Sequence, residues 1–226
     1  MGQAKQRGNR EDRVAQAKAS ADVFRPHSVE YRRMLTTAVE EAGQLGLNPL
    51  PTIDPYRSLS EEDVEKVREL CNDNFRARLK KLIPGYWGAS CQTLTTHLFA
   101  WLKIAGYEAD LVVGEVNIQS NLEYEATLEE IREEYRTRPT EGSQRLHMWI
   151  TLGDDVIVDP GIADRLIRYY RVPEFAVAPI PVHRADEFGT MYGAHHWPML
   201  VGADFAAKTN SVNPFDLLEM YKSQLR

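Results

Sequence analysis

The chain has 226 residues, of which 43% are hydrophobic and 27% are charged. This balance is too apolar for a disordered protein and ordinary for a globular one, so we expect one substantial core with an N-terminal extension. No stretch approaches the roughly 18 consecutive apolar residues of a membrane span, and the N-terminus lacks the apolar segment of a signal peptide. We therefore expect a cytoplasmic protein with no membrane contact.

Charge is unevenly distributed along the chain. The net charge is −6 at pH 7, but residues 1–18 hold five basic and two acidic residues, a charge of +3, which leaves −9 for the remainder. An acidic body argues against broad binding to nucleic-acid phosphates. Residues 1–20 are predicted to be a basic arm that is either a solvated, partly helical tail or a contact for nucleic acid or an acidic partner.

Residues 21–83 are predicted to form a helical N-terminal extension packed on the core. Apolar residues at helical spacing predict a helix over 28–45, and a proline-rich connector follows. Ser60, which precedes three acidic residues, is typical of a helix N-cap, and one apolar face continues from there to Pro84. Cys71 lies on that face, where free cysteines commonly pack in the core.

Residues 84–226 are predicted to form the main domain, of α+β class. A turn-rich loop leads into an amphipathic helix that begins at Cys91 and ends near Gly106, with the thiol toward the core. His97 lies about 120° from Cys91 around the helix axis, so we assign it to the helix surface or to an edge contact. This helix is expected to pack on a mainly antiparallel sheet.

The other elements of this domain follow from periodicity and turn residues. They are a strand over 109–118, an acidic helical segment within 119–145, a hairpin of 146–152 with 156–159, a short helix over 163–170, one or two strands before residue 183 and a C-terminal helix over 215–225. The acidic segment is either a lid over a site or a solvated surface helix.

The hairpin register decides whether His147 and Asp159 share a face. A two-residue loop would put them on opposite faces, whereas a three-residue loop over 153–155 puts Asp159 across from Trp149 and diagonal to His147. The second register gathers a continuous apolar set on one face: Met148, Ile150, Leu152, Val156 and Val158. We therefore predict this register, with His147 and Asp159 on the face that meets the Cys91 helix.

Three separate motifs together indicate a nucleophilic site. Cys91 opens a helix after a glycine-containing loop, His147 opens a strand, and Asp159 precedes a proline at the end of the next strand. A thiol is a strong nucleophile as thiolate, which a helix N-terminus and an imidazole favour, while a carboxylate fixes the imidazole tautomer. Each residue alone is commonly structural, but the joint pattern predicts catalysis.

Acyl transfer through a thiolate also needs donors for the oxyanion. The backbone N–H of Cys91 is one candidate, and Trp87, Tyr86 or a neighbouring amide is the second. Trp149, close to His147 in sequence, completes the set of candidate substrate-binding residues.

The runs 88–116 and 147–160 resemble the core of the transglutaminase-like superfamily, which belongs to the wider papain-like cysteine fold. The resemblance extends from Trp87 to Gly161 without the acidic insertion. It implies a nucleophile-bearing helix on an antiparallel sheet, with Cys91 as nucleophile, His147 as base and Asp159 as orienting acid. We predict no cofactor. Residues 1–80 and 165–226 lie outside the resemblance, so no substrate can be carried over.

The adjacent histidines His195 and His196 invite a metal-site interpretation. Adjacent side chains rarely converge on one ion, and no Cys or Glu lies at zinc-like spacing from them. We predict no metal site, and assign the pair to a cleft wall or to a buried polar contact.

Three classes of function remain open. The first is a cysteine enzyme (protease, deamidase, transamidase or acyltransferase) acting on a peptide, protein or small acyl substrate through a thioester. The second is a catalytically inactive transglutaminase-like module that binds a protein partner. The third is a nucleic-acid-associated protein that uses the basic arm.

Overall fold

The computed structural model describes residues 27–137 and 145–224. The predicted basic arm, residues 1–20, lies outside these ranges. Within them the protein is of α+β class with an antiparallel sheet, as predicted, and helices pack on both faces of that sheet. The described ranges contain no helix with the length and apolar character needed to cross a bilayer.

The helices and strands have the following bounds. The helices are α1 (His27–Leu45), α2 (Glu61–Glu69), α3 (Arg76–Leu82), α4 (Cys91–Ile104), α5 (Leu128–Thr137), α6 (Ile162–Tyr170), α7 (Ala185–Tyr192), α8 (Ala203–Thr209) and α9 (Pro214–Ser223). The strands are β1 (Ala109–Ile118), β2 (Asn121–Leu122), β3 (His147–Leu152), β4 (Val156–Val158), β5 (Val182–Arg184) and β6 (Ala194–Val201). A π-helical segment, Leu70–Phe75, joins α2 to α3, and a 3-10 turn, Glu174–Ala176, precedes β5.

Most predicted elements are confirmed, and the differences have local causes. The single helix expected between Ser60 and Pro84 is interrupted by the π-helical segment, which periodicity alone does not reveal. Strand β6 was missed because it contains Pro198, a residue that cannot donate to a ladder. Pro198 pairs with Gly114 where the register between β1 and β6 shifts, so the proline sits at a bulge.

Strand β1 is the centre of the sheet. It pairs with β3 along one edge and with β6 along the other, and the strand order is β2-β1-β3-β4-β5 with β6 on β1. All of its residues are buried, because helices cover both faces. Burial on both faces explains why β1 has apolar residues without strict alternation.

The hairpin register is the predicted one. Ile150 pairs with Val158 and Leu152 pairs with Val156, which leaves a three-residue loop between the strands. By this register Asp159 follows β4 opposite Trp149, on the same side of the sheet as His147. The apolar alternation of the two strands was therefore sufficient to fix the pairing.

The face that meets helix α4 was predicted wrongly. Leu94 and Leu98 of α4 pack with Met148 on the apolar face of the sheet, and the Thr95 hydroxyl donates to the Met148 carbonyl at 3.1 Å. The opposite face, which carries Trp149, packs against α1. An amphipathic helix buries its stripe against the more apolar surface, so α4 reaches the His147 side only through its N-terminal end.

Position 114, next to the site, has room for glycine but not for a larger residue. A Cβ there would collide with the backbone carbonyl of Trp197 and would lie 2.9 Å from the Trp149 ring. We expect Gly114→Ala to lower the free energy of unfolding by about 2–3 kcal/mol, since rigid backbone cannot yield to an added methyl group. Urea unfolding of the purified variant measures this loss.

Gly43→Ala in α1 is the matched control, because a Cβ at Gly43 meets nothing within 4 Å. We expect it to raise the free energy of unfolding by about 0.5–1 kcal/mol through helix propensity. Equal effects of the two substitutions would contradict a steric role for Gly114.

Candidate functional site

A buried carboxylate, that of Asp159, organises the site. Its Oδ1 accepts hydrogen bonds from the backbone N–H groups of Gly161 at 3.0 Å and Ile162 at 3.1 Å, where α6 begins. Its Oδ2 accepts from Nε2 of His147 at 2.7 Å and Nε2 of His196 at 2.9 Å. Burial by itself raises the pKa of Asp159, but the two imidazoles outweigh it and hold the pKa below its usual range.

His147 opens β3 and is buried beside this carboxylate. Burial alone lowers its pKa, but the charge and hydrogen bond of Asp159, with a further contribution from Cys91, raise the pKa from 6.5 to about 10. His147 is therefore an imidazolium at neutral pH. Its Nδ1, the nitrogen that does not bond Asp159, has no hydrogen-bond partner within the described residues.

His196 is a residue of the site that the sequence analysis did not select. It lies on β6 opposite Val116 of β1 and forms the buried polar contact that was one of the two expectations for this pair of histidines. Burial lowers its pKa and the charge of His147 adds to this effect, so His196 is the neutral imidazole of the two. Only the pairing of β6 with β1 brings it to Asp159.

His147, Asp159 and His196 also form the one group within the described residues whose ligand atoms are close enough for a metal ion. The separations of 2.7 and 2.9 Å between nitrogen and oxygen are hydrogen-bond lengths. Ligand atoms around a tetrahedral zinc ion would stand about 3.3 Å apart. The three side chains are thus spaced for hydrogen bonding.

Cys91 is the first residue of α4 and lines a cavity of about 980 Å³. Cys91 and His147 both lie next to Gly161. A Cβ added to Gly161 would lie 2.9 Å from Cβ of Cys91 and 3.4 Å from Cε1 of His147. The thiol is near enough to raise the pKa of the imidazole, although it does not meet hydrogen-bond geometry with Nδ1.

Tyr124 covers the imidazole from the cavity side. Its ring stacks on that of His147 with 5.0 Å between centroids and 15° between planes. The loop that carries it is held by the buried carboxylate of Glu115, which accepts the N–H groups of Glu123 at 3.1 Å, Tyr124 at 3.0 Å and Ala126 at 3.0 Å. Neither Tyr124 nor Glu115 has a local sequence signal for this role.

The acidic segment forms a wall of the cavity. Helix α5 buries Ile131 and Tyr135 in the core, while Glu130, Ile131 and Glu134 line the cavity. Glu129, Glu130 and Glu133 of α5 are exposed, so the described part of the segment is a surface helix that packs through its apolar side, as one of the two alternatives predicts. Residues 138–144 lie outside the described ranges.

The predicted accessory residues do not have the expected roles. Trp87 uses both of its N–H groups, the backbone one toward Asp164 at 2.6 Å and the indole one toward the Ile83 carbonyl at 2.9 Å. An engaged donor is a poor oxyanion donor. Trp149 is fully buried and donates to the Tyr31 hydroxyl, so it cannot touch a substrate.

Tyr86 is also absent from the cavity lining. Its hydroxyl packs against Gly88, and the Arg168 guanidinium lies 4.4 Å from its ring centroid. Among the predicted donors the backbone N–H of Cys91 remains, because the first N–H groups of a helix have no intrahelical acceptor.

Two further predictions are confirmed. Cys71 is completely buried, and burial raises the pKa of its thiol to about 12, so it is a packing residue. His97 makes an edge contact through Nδ1 with the Tyr221 hydroxyl at 2.7 Å, away from Cys91.

Comparison of the chain with protein-family models, with curated proteins and with solved structures finds no match. Function must accordingly be argued from the site. The site combines a thiol at a helix N-terminus, a charged imidazole held by a buried carboxylate, and a cavity that reaches the thiol.

The hydrogen-bonded pair predicts how stability depends on pH. The pKa of His147 is higher in the folded protein than its ordinary 6.5, so its stabilising contribution is complete below pH 6.5 and is lost as the pH rises toward about 10. We expect Asp159→Asn, which keeps an oxygen for the backbone N–H groups, to destabilise most near pH 6 and progressively less toward pH 9.5. Urea unfolding across this range measures the difference.

Asp216→Asn, an exposed position in α9, serves as the control and should show no such trend. If the loss caused by Asp159→Asn were the same at pH 6 and pH 9.5, the carboxylate would not be what keeps His147 protonated.

Proposed function

We propose that this protein is a cysteine-dependent acyl-transfer or hydrolytic enzyme of transglutaminase-like type. In this proposal Cys91 is the nucleophile, His147 is the acid and base, and Asp159 orients and stabilises the imidazolium. The observation that carries the proposal is the 2.7 Å bond between His147 Nε2 and Asp159 Oδ2, which leaves Nδ1 of His147 without a partner among the described residues.

The chemistry has two steps. The Cys91 thiolate attacks the carbonyl carbon of an amide, ester or thioester, and the resulting tetrahedral intermediate expels its leaving group, which takes the Nδ1 proton of His147. The product is a thioester on Cys91. Water or an amine then attacks this thioester, gives its proton to His147 and releases the thiolate.

The cavity favours an enzyme over a purely structural use of these residues. It lies against Cys91 and has both polar and charged residues in its wall, among them Gln92, Asn210 and Arg165. Such a space accepts a peptide segment or a small acyl compound. The proposal needs no cofactor, and it includes a cytoplasmic location, where thiols stay reduced.

Alkylation of the folded protein tests the nucleophile. At about pH 6.5 an ordinary thiol is only about 1% ionised, whereas a thiol paired with an imidazolium reacts readily. We expect iodoacetamide to modify Cys91 and to leave Cys71, the buried thiol of the same molecule, unmodified, as read by peptide mass spectrometry. His147→Ala should slow the reaction at Cys91 at least tenfold.

Turnover of p-nitrophenyl acetate tests the complete cycle. We expect acetylation of Cys91 followed by hydrolysis, no turnover in Cys91→Ala or His147→Ala, and turnover reduced by about 10²–10⁴ in Asp159→Asn, since the imidazole loses its orienting charge. Circular dichroism checks that each variant is folded. Unchanged turnover in Cys91→Ala would refute the mechanism.

The alternative function, an inactive module that binds a protein partner, makes the opposite prediction. Cys91 would then resist iodoacetamide at neutral pH as Cys71 does, with both thiols reacting only after unfolding.

A further inference from the structure

The hydroxyl of Tyr124 is a buried polar group without an obvious purpose. It has no hydrogen-bond partner within the described residues. A buried hydroxyl left unsatisfied costs about 1–3 kcal/mol, so folded proteins seldom keep one without a function. Tyr124 lines the same cavity as Cys91, and its ring stacks on His147.

The surroundings of this phenol keep it protonated. Burial raises the pKa of Tyr124 above its usual range, and the charge of Cys91 raises it further. The phenol is therefore a hydrogen-bond donor throughout the neutral range. The Arg165 guanidinium, 5.0 Å from the ring centroid, acts in the other direction and lowers the pKa of Tyr124, but burial outweighs it.

The position of the phenol is fixed before any substrate binds. Three backbone N–H groups of its loop are tied to the carboxylate of Glu115, which is itself buried in β1. Arg165 also pairs with Glu123 in the same loop and donates to the Gly88 carbonyl at 3.4 Å. Donors that need no reorganisation are those that stabilise a transition state most.

We propose that the Tyr124 hydroxyl is the second donor of the oxyanion hole, together with the backbone N–H of Cys91. This inference rests on the proposed function and deepens it. When the thiolate forms its bond to the carbonyl carbon, the π-electron pair moves to oxygen, and the Tyr124 O–H donates a hydrogen bond to it without losing its proton. Collapse of the intermediate restores the carbonyl as the leaving group departs with the proton of His147.

The substitution Tyr124→Phe removes only the hydroxyl and keeps the ring on His147. Two probes separate its possible effects. Iodoacetamide reacts with a thiolate by displacement and forms no oxyanion, whereas p-nitrophenyl acetate passes through one. We expect the alkylation rate of Cys91 to stay within about twofold of the parent protein and the acetylation rate to fall about 100-fold.

Tyr192→Phe is the matched control, because that hydroxyl is buried remote from the cavity and donates to the Ala176 carbonyl at 3.3 Å. It should change neither rate. The acetylation rate of each protein is divided by the acetylation rate of a free thiol. That free thiol is chosen to react with iodoacetamide as fast as Cys91 of the same protein does.

Each other outcome has a distinct meaning. Acetylation of Tyr124→Phe within about threefold of the parent would overturn the oxyanion role and leave Cys91 as nucleophile. An equal fall of both rates would assign Tyr124 to ionisation of the thiol, which also overturns it. A parent protein that reacts with the ester no faster than the free thiol would show that no oxyanion donor acts. Absence of any reaction at Cys91 would instead refute the proposed function itself.

Discussion

The carboxylate of Asp159 is a charge with no access to water, and the arrangement around it follows from the need to compensate that charge. Two backbone N–H groups at the start of α6 bond one oxygen, and His147 and His196 bond the other. These donors come from α6, β3 and β6. A single ionised group therefore joins α6, β3 and β6, and it defines where the site lies.

The two imidazoles on this carboxylate are in different states. Both bond Oδ2, but Asp159 raises the pKa of His147, whereas burial and, to a smaller extent, the charge of His147 lower the pKa of His196. His147 holds the proton beside Cys91, while His196 fixes the carboxylate as a neutral donor. In the proposed reaction, proton transfer to a substrate would change the charge of His147 and leave His196 unchanged.

A second buried carboxylate, that of Glu115, acts in a parallel way on the cavity side. It bonds the backbone of the loop that carries Tyr124, just as Asp159 bonds the backbone at the start of α6. Backbone N–H groups in loops lack regular partners, so an internal acid both satisfies them and fixes the loop. Cys91, at the N-terminus of α4, lines the same cavity as Tyr124.

The sequence by itself determined the local elements, the start of α4 at Cys91 and the hairpin register that puts His147 and Asp159 on one face. These are consequences of helical period, strand alternation and turn residues, which act over a few positions. Tertiary structure alone decided that α4 packs on the opposite face, that Trp87 has no free N–H group, and that His196 and Tyr124 join the site. Each of these depends on contacts between distant segments, which the period of a single helix or strand does not encode.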